Sequence, residues 1–266
     1  MISFVINLLL AFMVYVLKML TLKGMILAAL IGHLILWGGG FGMWCLLGVC
    51  FVCSYWATYY KGERKYHLYH VHEKGGTRDE VQVLANGFVP AVCCLIYGFV
   101  PKPVLLIVAA IGIASINADT CASELGVLSK TGPISILTFK KIPTGISGGI
   151  TWLGTFSSFM GSFIIALCFM LWYRLFIDTH VAFMSHLVYI TLFGVLGSII
   201  DSLLGALVQV KYQCEVCGVL TEKQYHCERQ TVKVGGFKEI NNDWVNLISV
   251  AISSICGLII YGFIFK

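Results

Sequence analysis

Charged residues are scarce in this sequence. They make up 12% of its 266 residues, whereas 58% of the residues are hydrophobic, and the mean hydropathy is +0.87. Because a soluble domain has about 25% charged residues, the composition leaves no room for a large soluble domain and predicts a chain mostly in lipid. The net charge of +5 is spread over several loops without a basic stripe. No nucleic-acid partner is therefore expected, and anionic head groups or phosphates are favoured instead.

A basic segment is also missing ahead of the first apolar run. That run begins at Ile2, and the nearest lysine, Lys18, follows it. A secretory signal peptide carries its basic residues before its apolar core, so no cleaved signal peptide is expected.

Long apolar segments recur along the whole chain with short polar breaks. A membrane-spanning helix needs about 20 apolar residues, and the pattern predicts an all-α, polytopic integral membrane helical bundle of about eight transmembrane helices. The chain is expected to form one membrane domain, residues 1–266. The segment that ends in Trp37–Gly40 and the segment after it are expected to form a tight hairpin or a partly re-entrant pair. The predicted spans lie near residues 2–17, 24–38, 41–59, 81–99, 103–118, 150–172, 181–205 and 244–264.

The basic residues predict the orientation of these spans. Fifteen of them fall on one side of the predicted membrane and three on the other. Because Lys and Arg are retained in the cytosol during insertion, loops near 61–80, 125–149 and 206–243 are expected to be cytosolic. Both termini are then lumenal or outside, and the endoplasmic reticulum or another endomembrane is the default location.

A first polar motif, Asn117 to Glu124, lies at the cytosolic end of the fifth span. If the helix continues, Asp119 stacks with Ser123 and Thr120 stacks with Glu124, four residues apart. The two resulting polar ridges suit a hydrated divalent cation, with Asp119 and Glu124 as ligands. The alternative is a polar helix end that meets water.

A glycine-rich loop leads directly into the sixth span. Glycines beside hydroxyl residues before a helix N-terminus leave backbone N–H groups free to bind an anion. The loop lacks the Walker A pattern, and a tight turn that requires glycine is an equally weighted explanation. The phosphate-binding candidates here are Lys140, Lys141, Thr144, Gly145, Ser147, Gly148 and Gly149.

Further polar side chains fall at the same predicted membrane face. Asp201 lies within an apolar run, where a carboxylate costs several kcal/mol unless it has a partner or a wet cavity. Asn242 and Asp243 open the last span, and Arg78 and Asn86 lie at the start of the fourth. Carboxylates from three separate helices are thus predicted to converge at the cytosolic face.

Cysteine and histidine cluster in the loop after the seventh span. Cys214-x-x-Cys217, followed by His226-Cys227, has the composition of a tetrahedral zinc site, although two adjacent ligands have poor geometry for one ion. Free thiols in a cytosolic loop are the alternative. Most other cysteines lie inside apolar segments, where they are expected to be free thiols.

Several of these motifs together resemble the transmembrane protein 19 family, which has a membrane domain of unknown function and includes the plant phytyl-phosphate kinases. Dolichol and phytol kinases and membrane CDP-lipid synthases look like its distant relatives. The resemblance covers the chain from about residue 61 to its end. It rests on residues 73–79, 81–87, 119–126, 143–149, 201–206 and 241–247.

The resemblance implies a membrane-embedded kinase that transfers a phosphoryl group from a nucleoside triphosphate, with CTP favoured, to an isoprenoid lipid monophosphate. Under this hypothesis Asp119, Glu124 and Asp201 hold Mg²⁺ and, with Asn242 and Asp243, form the catalytic set. The expected partners are the nucleotide, the lipid phosphate and membrane lipids, with a homodimer as a possible assembly. The rival interpretations are a non-enzymatic lipid or lipid-phosphate transporter and an inactive relative that serves as an assembly partner.

Overall fold

The computed structural model describes residues 2–65, 71 and 76–265. Within them the chain is helical, and α2 and α4 to α8 are long and apolar enough to cross a membrane, whereas α1 is a shorter apolar helix. The protein is therefore a helical, polytopic membrane protein, as predicted. The helices are α1 Ile2–Val16, α2 Leu22–Tyr59, α3 Gly62–Lys65, α4 Glu80–Phe99, α5 Pro103–Gly126, α6 Trp152–Phe176, α7 Phe183–Leu207 and α8 Asn242–Ile264.

Helix α2 reverses direction at Gly40, which has φ 79° and ψ −179°. A straight helix of this length would span about 57 Å. Instead, Gly24 near its start lies against the Arg78 carbonyl, and Thr58 near its end donates to Glu124. Arg78, Thr58 and Glu124 all line one cavity. The two halves of α2 therefore run antiparallel, which confirms the predicted hairpin.

Helix α5 is the centre of the bundle. It is buried without interruption from Leu106 to Ala118 and packs against α2, α4, α6, α7 and α8. Small residues permit these close approaches, since a Cβ at Gly161 of α6 or at Gly197 of α7 would collide with α5. The glycines of α6 and α7 thus serve helix packing.

Short strands occur in two loops, which the apolar pattern did not predict because strands of two to four residues carry too little periodicity. β1 Ile134–Ser135 pairs antiparallel with β2 Gly149–Ile150. In the loop after α7, three strands form a sheet of order β4-β3-β7 and two form a hairpin. These five strands are β3 Lys211–Gln213, β4 Leu220–Thr221, β5 Tyr225–His226, β6 Arg229–Gln230 and β7 Val232–Gly235.

Residues 127–151 and 208–241 form loops at one end of the bundle, hereafter the loop end. There α5 ends against the beginning of α6, where Gly126 and Gly154 are in close contact, and α7 meets the beginning of α8, where Ser249 donates to Asp201. At the opposite end, His186 of α7 contacts Tyr261 of α8. Helices α4, α6 and α8 thus run away from the loop end, and α5 and α7 run toward it.

Candidate functional site

A cavity of about 850 Å³ lies at the loop end. Side chains from α2, α4, α5, α6, α7 and α8 and from the loop 127–151 line it. Sites for small ligands and cofactors have volumes of about 300–1,000 Å³. The space is therefore large enough for a nucleotide-sized ligand.

The structure brings most of the sequence-predicted site residues to this cavity. Lys140 and Lys141 are exposed and do not line it. Their segment folds back on β1, since the Lys140 carbonyl accepts from the backbone N–H of Ser135. The structure therefore does not bring these two lysines to the cavity, where they were expected to contact a phosphate. The predicted residues that do line it are Arg78, Asn86, Asp119, Glu124, Thr144, Gly145, Ser147, Gly148, Gly149, Asp201, Asn242 and Asp243.

Asp119 and Asp201 face the cavity from α5 and α7. Ser198 Oγ donates to Asp119 Oδ1 at 3.4 Å, and Ser249 Oγ donates to Asp201 Oδ2 at 3.2 Å. Both carboxylates line the same cavity. Among the described residues neither forms an ion pair. Carboxylates without a cationic partner are costly in a membrane span, and a metal ion in the cavity would relieve that cost.

Glu124 is paired with Lys65, a residue that sequence reasoning did not place in the site. Lys65 Nζ lies 2.9 Å from Glu124 Oε2, and Thr58 Oγ1 donates to the other oxygen at 3.2 Å. The Lys65 side chain is only 8% exposed and also donates to the carbonyls of Ala57 and Thr58. This cation belongs to the cavity wall, although no sequence motif surrounds it.

The glycine-rich loop packs its backbone against the cavity. Gly145 and Gly148 both have φ +89°, a conformation that L-residues with side chains avoid. A Cβ at Gly148 would also collide with Ala206 of α7. Thr151 Oγ1 accepts from Gly154 N at 3.0 Å and so caps α6. The tight turn therefore requires these glycines, and the same turn presents backbone to the cavity.

Glu222 is a second cavity residue that sequence reasoning missed. It lies beyond α7, immediately after β4, and is buried. Its Oε1 accepts from Ser147 Oγ at 2.6 Å and from Gln209 Nε2 at 2.7 Å. Nothing in the local sequence marks it, because a long loop brings it back to the glycine turn.

The charges around the cavity favour a cation. Among the residues that the structure describes, six carboxylic side chains line it against two basic ones, Lys65 and Arg78. A bare phosphate would be repelled by this excess of negative charge. An anionic ligand can therefore enter most favourably together with a divalent cation.

Helix caps place the remaining predicted residues. Asp79 and Gln82 form a capping box at the start of α4, next to Arg78. Asn241 accepts from Trp244 N and caps α8, so that Asn242 and Asp243 occupy its first turn. From the predicted motif at 73–79, Glu73, Lys74 and Gly75 lie outside the described residues.

The family model described as integral membrane protein DUF92 matches residues 5–254. The chain belongs to this family. The chain is 31% identical over 279 residues to Protein PGR of Arabidopsis thaliana, covering 98% of this chain and 96% of that protein. It is 30% identical over 267 residues to an uncharacterised membrane protein of Methanocaldococcus jannaschii, covering 98% of this chain and 93% of that protein. No solved structure matches.

This DUF92 chain also carries a Cys3His cluster in the loop after α7. Ligand atoms of Cys214, Cys217, His226 and Cys227 lie within 4.8 Å of one another. Cys227 and the next residue, Glu228, both have positive φ and form the two-residue turn between β5 and β6. That turn folds the adjacent His226 and Cys227 side chains together, which overcomes the geometric objection to neighbouring ligands. The cluster could hold a metal such as zinc.

Hydrogen bonds give the thiols of this cluster different pKa values. The backbone N–H of Cys217 is the main cause that lowers the pKa of Cys214 to about 6. A hydrogen bond with the Cys217 side chain raises the pKa of Cys227 to about 11. The lowered pKa favours the thiolate form of Cys214, which is the form that binds metals. Every cysteine of the chain is a free thiol.

Proposed function

We propose that this protein is a membrane-embedded kinase that transfers a phosphoryl group from a nucleoside triphosphate to a prenyl monophosphate. The observation that carries the proposal is one cavity at the loop end. There Asp119, Asp201 and Asp243, from three different helices, meet the glycine turn at Gly148. Phosphoryl transfer needs mainly metal ions, fixed cations and alignment of the two phosphates, which such a cavity supplies.

The donor set suits magnesium. Oxygen ligands are those that Mg²⁺ prefers, and the acidic side chains of the cavity offer only oxygen. Asp119 and Asp201 are the best placed ligands, because their hydrogen-bond partners are serine hydroxyls. Glu124 has one oxygen bound to Lys65 and would contribute through the other. The bound ion would neutralise charge on the transferring phosphates.

Cationic and amide groups of the wall would position the phosphates. Lys65 and Arg78 line the cavity, and Arg78 is fixed by backbone hydrogen bonds to Met19 and Thr21. Asn242 in the first turn of α8 offers an amide donor. The backbone of the glycine turn completes this wall, where its N–H groups can bind phosphate oxygens.

The acceptor is proposed to be a lipid phosphate because the cavity lies where apolar helices meet the loop end. A phosphate oxygen of the acceptor would attack the γ-phosphorus, and the bond from that phosphorus to the bridging oxygen would break. The nucleoside diphosphate would leave with the electron pair. An ionised phosphate acceptor needs no strong base. The isoprenoid tail would lie among α4 to α7, and CTP is favoured by the family resemblance.

The test is conversion of a prenyl monophosphate by purified protein in lipid nanodiscs. Radiolabelled CTP, ATP and GTP are supplied separately with Mg²⁺, and labelled prenyl diphosphate is the expected product with at least one of them. No product with any triphosphate contradicts the proposal. Movement of labelled lipid phosphate across liposomes without nucleotide favours a transporter instead.

A further inference from the structure

The Cys3His cluster has the spacing of a tetrahedral metal site. His226 Nδ1 lies 3.4 Å from Cys217 Sγ and 3.2 Å from Cys227 Sγ. Bonds of about 2.3 Å to sulfur and about 2.0 Å to nitrogen place tetrahedral ligand atoms roughly 3.5–3.8 Å apart. The side chains are thus near the arrangement that one ion requires.

The chemistry of the four ligands favours zinc. Three thiols and one imidazole form a donor set typical of closed structural zinc sites, whereas magnesium and calcium prefer oxygen. Basic residues predict that this loop faces the cytosol, where thiols stay reduced. A disulfide is not the expected state of these cysteines.

The four residues of the cluster flank the segment that carries Glu222. Cys214 and Cys217 precede residues 218–225, and His226 and Cys227 follow them. Within that segment, Thr221 Oγ1 and Glu222 N both donate to the Val71 carbonyl, each at 2.8 Å. The Glu222 carboxylate then reaches Ser147 of the glycine turn. A metal at the cluster would hold both ends of this segment while its middle contacts the cavity wall.

We propose that Cys214, Cys217, His226 and Cys227 bind one zinc ion, and that this ion holds Glu222 against the glycine turn of the cavity. Zinc binding rests on the geometry and chemistry of the four ligands and does not depend on the proposed function. Glu222 is a positioning residue here, since it contacts Ser147 and Gln209. Because the ion would close the loop, it would lower the entropy cost of keeping Glu222 in place. The importance of that placement for catalysis rests on the proposed function.

Metal analysis of the full-length protein tests the site. Protein purified without chelator and then exposed to ZnCl₂ should contain one zinc per chain by elemental mass spectrometry. Cys217→Ser and Cys227→Ser should each lose most of it. Cys256→Ser, in α8, is the matched control and should keep it. No zinc in the wild type, iron in place of zinc, or full zinc in Cys227→Ser would overturn the site.

Hydrogen–deuterium exchange tests the positioning role. Removing zinc from the wild type with a chelator should raise exchange in residues 218–225 and in 145–149, but not in the opposite loop 178–182. This measurement does not depend on the serine variants folding. An increase in 218–225 with no change in 145–149 would overturn the link to the cavity. Both readouts omit nucleotide, so a failed kinase assay leaves them unaffected.

Discussion

Ser198 of α7 donates a hydrogen bond to Asp119 of α5, with Oγ and Oδ1 3.4 Å apart. This contact joins the two helices that carry the central carboxylates. Its length leaves the Asp119 oxygens available to a stronger partner, since hydroxyl–carboxylate bonds are usually about 2.5–2.7 Å. Asp201 has a similar serine partner, Ser249, at 3.2 Å.

These two carboxylates predict a divalent-cation site that can be measured without substrate. Asp119→Asn and Asp201→Asn should each weaken Mn²⁺ binding by about tenfold or more, because an amide replaces a charged ligand. Binding is measured by electron paramagnetic resonance of free Mn²⁺. Asp178→Asn, in the exposed loop between α6 and α7, is the matched control and should bind as the wild type does. Unchanged affinity in both variants would show that these aspartates hold no metal.

The ion pair between Lys65 and Glu124 should matter more for stability than an exposed pair. Glu124→Gln leaves the Lys65 ammonium, whose side chain is 8% exposed, without its carboxylate, at a cost of about 1–3 kcal/mol. Glu80→Gln breaks the pair with Lys23, whose side chains are 80% and 38% exposed, and should cost less than about 1 kcal/mol. Equilibrium unfolding in mixed micelles gives both values. Equal losses would mean that Lys65 is not held by Glu124.

The glycine turn should be intolerant at Gly148. Alanine there meets both an unfavourable φ of +89° and the backbone of Ala206, so Gly148→Ala should destabilise the protein by about 2–4 kcal/mol. Gly132→Ala in the same loop is the control, since no atom lies within 4 Å of its added Cβ. Matching unfolding midpoints for the two variants would contradict the described turn.

The hairpin in α2 predicts that alanine at Gly40 also destabilises the protein. Space is free around a Cβ at this position, so Gly40→Ala tests backbone strain alone and should cost about 1–3 kcal/mol. Gly48→Ala, also in open space on α2, should be neutral or slightly stabilising because alanine favours a helix. A neutral Gly40→Ala would indicate that α2 does not reverse at this residue.

Sequence patterns predicted the helices and several residues that line the cavity, because both depend on local composition. Long apolar runs identify spans directly, and Asp119, Asp201 and Asp243 are conspicuous as carboxylates near such runs. The hairpin at Gly40 was also predictable from its three consecutive glycines. The apolar pattern of α5 ends near residue 118, and the helix continues through the polar motif to Gly126, because hydropathy stops marking a helix once its residues become polar.

The missed residues reach the cavity through tertiary contacts. Lys65 follows α2 in a short helix and turns back to Glu124, and Glu222 returns from a loop to Ser147. Neither contact leaves a pattern in the neighbouring sequence. Conversely, Lys140 and Lys141 lie next to the glycine turn in sequence, yet both are exposed. Their segment pairs with β1 through a bridge between Ile134 and Lys141.

Phosphoryl transfer by matched aspartate variants tests the central claim most directly. In nanodiscs containing a prenyl monophosphate, Mg²⁺ and the active triphosphate, wild type and Asp178→Asn should form labelled prenyl diphosphate at equal rates. Asp119→Asn and Asp201→Asn should be slower by about 10²-fold or more, because the charge that holds the ion is lost. Equal rates in all four proteins would contradict a metal-dependent phosphoryl-transfer site in this cavity.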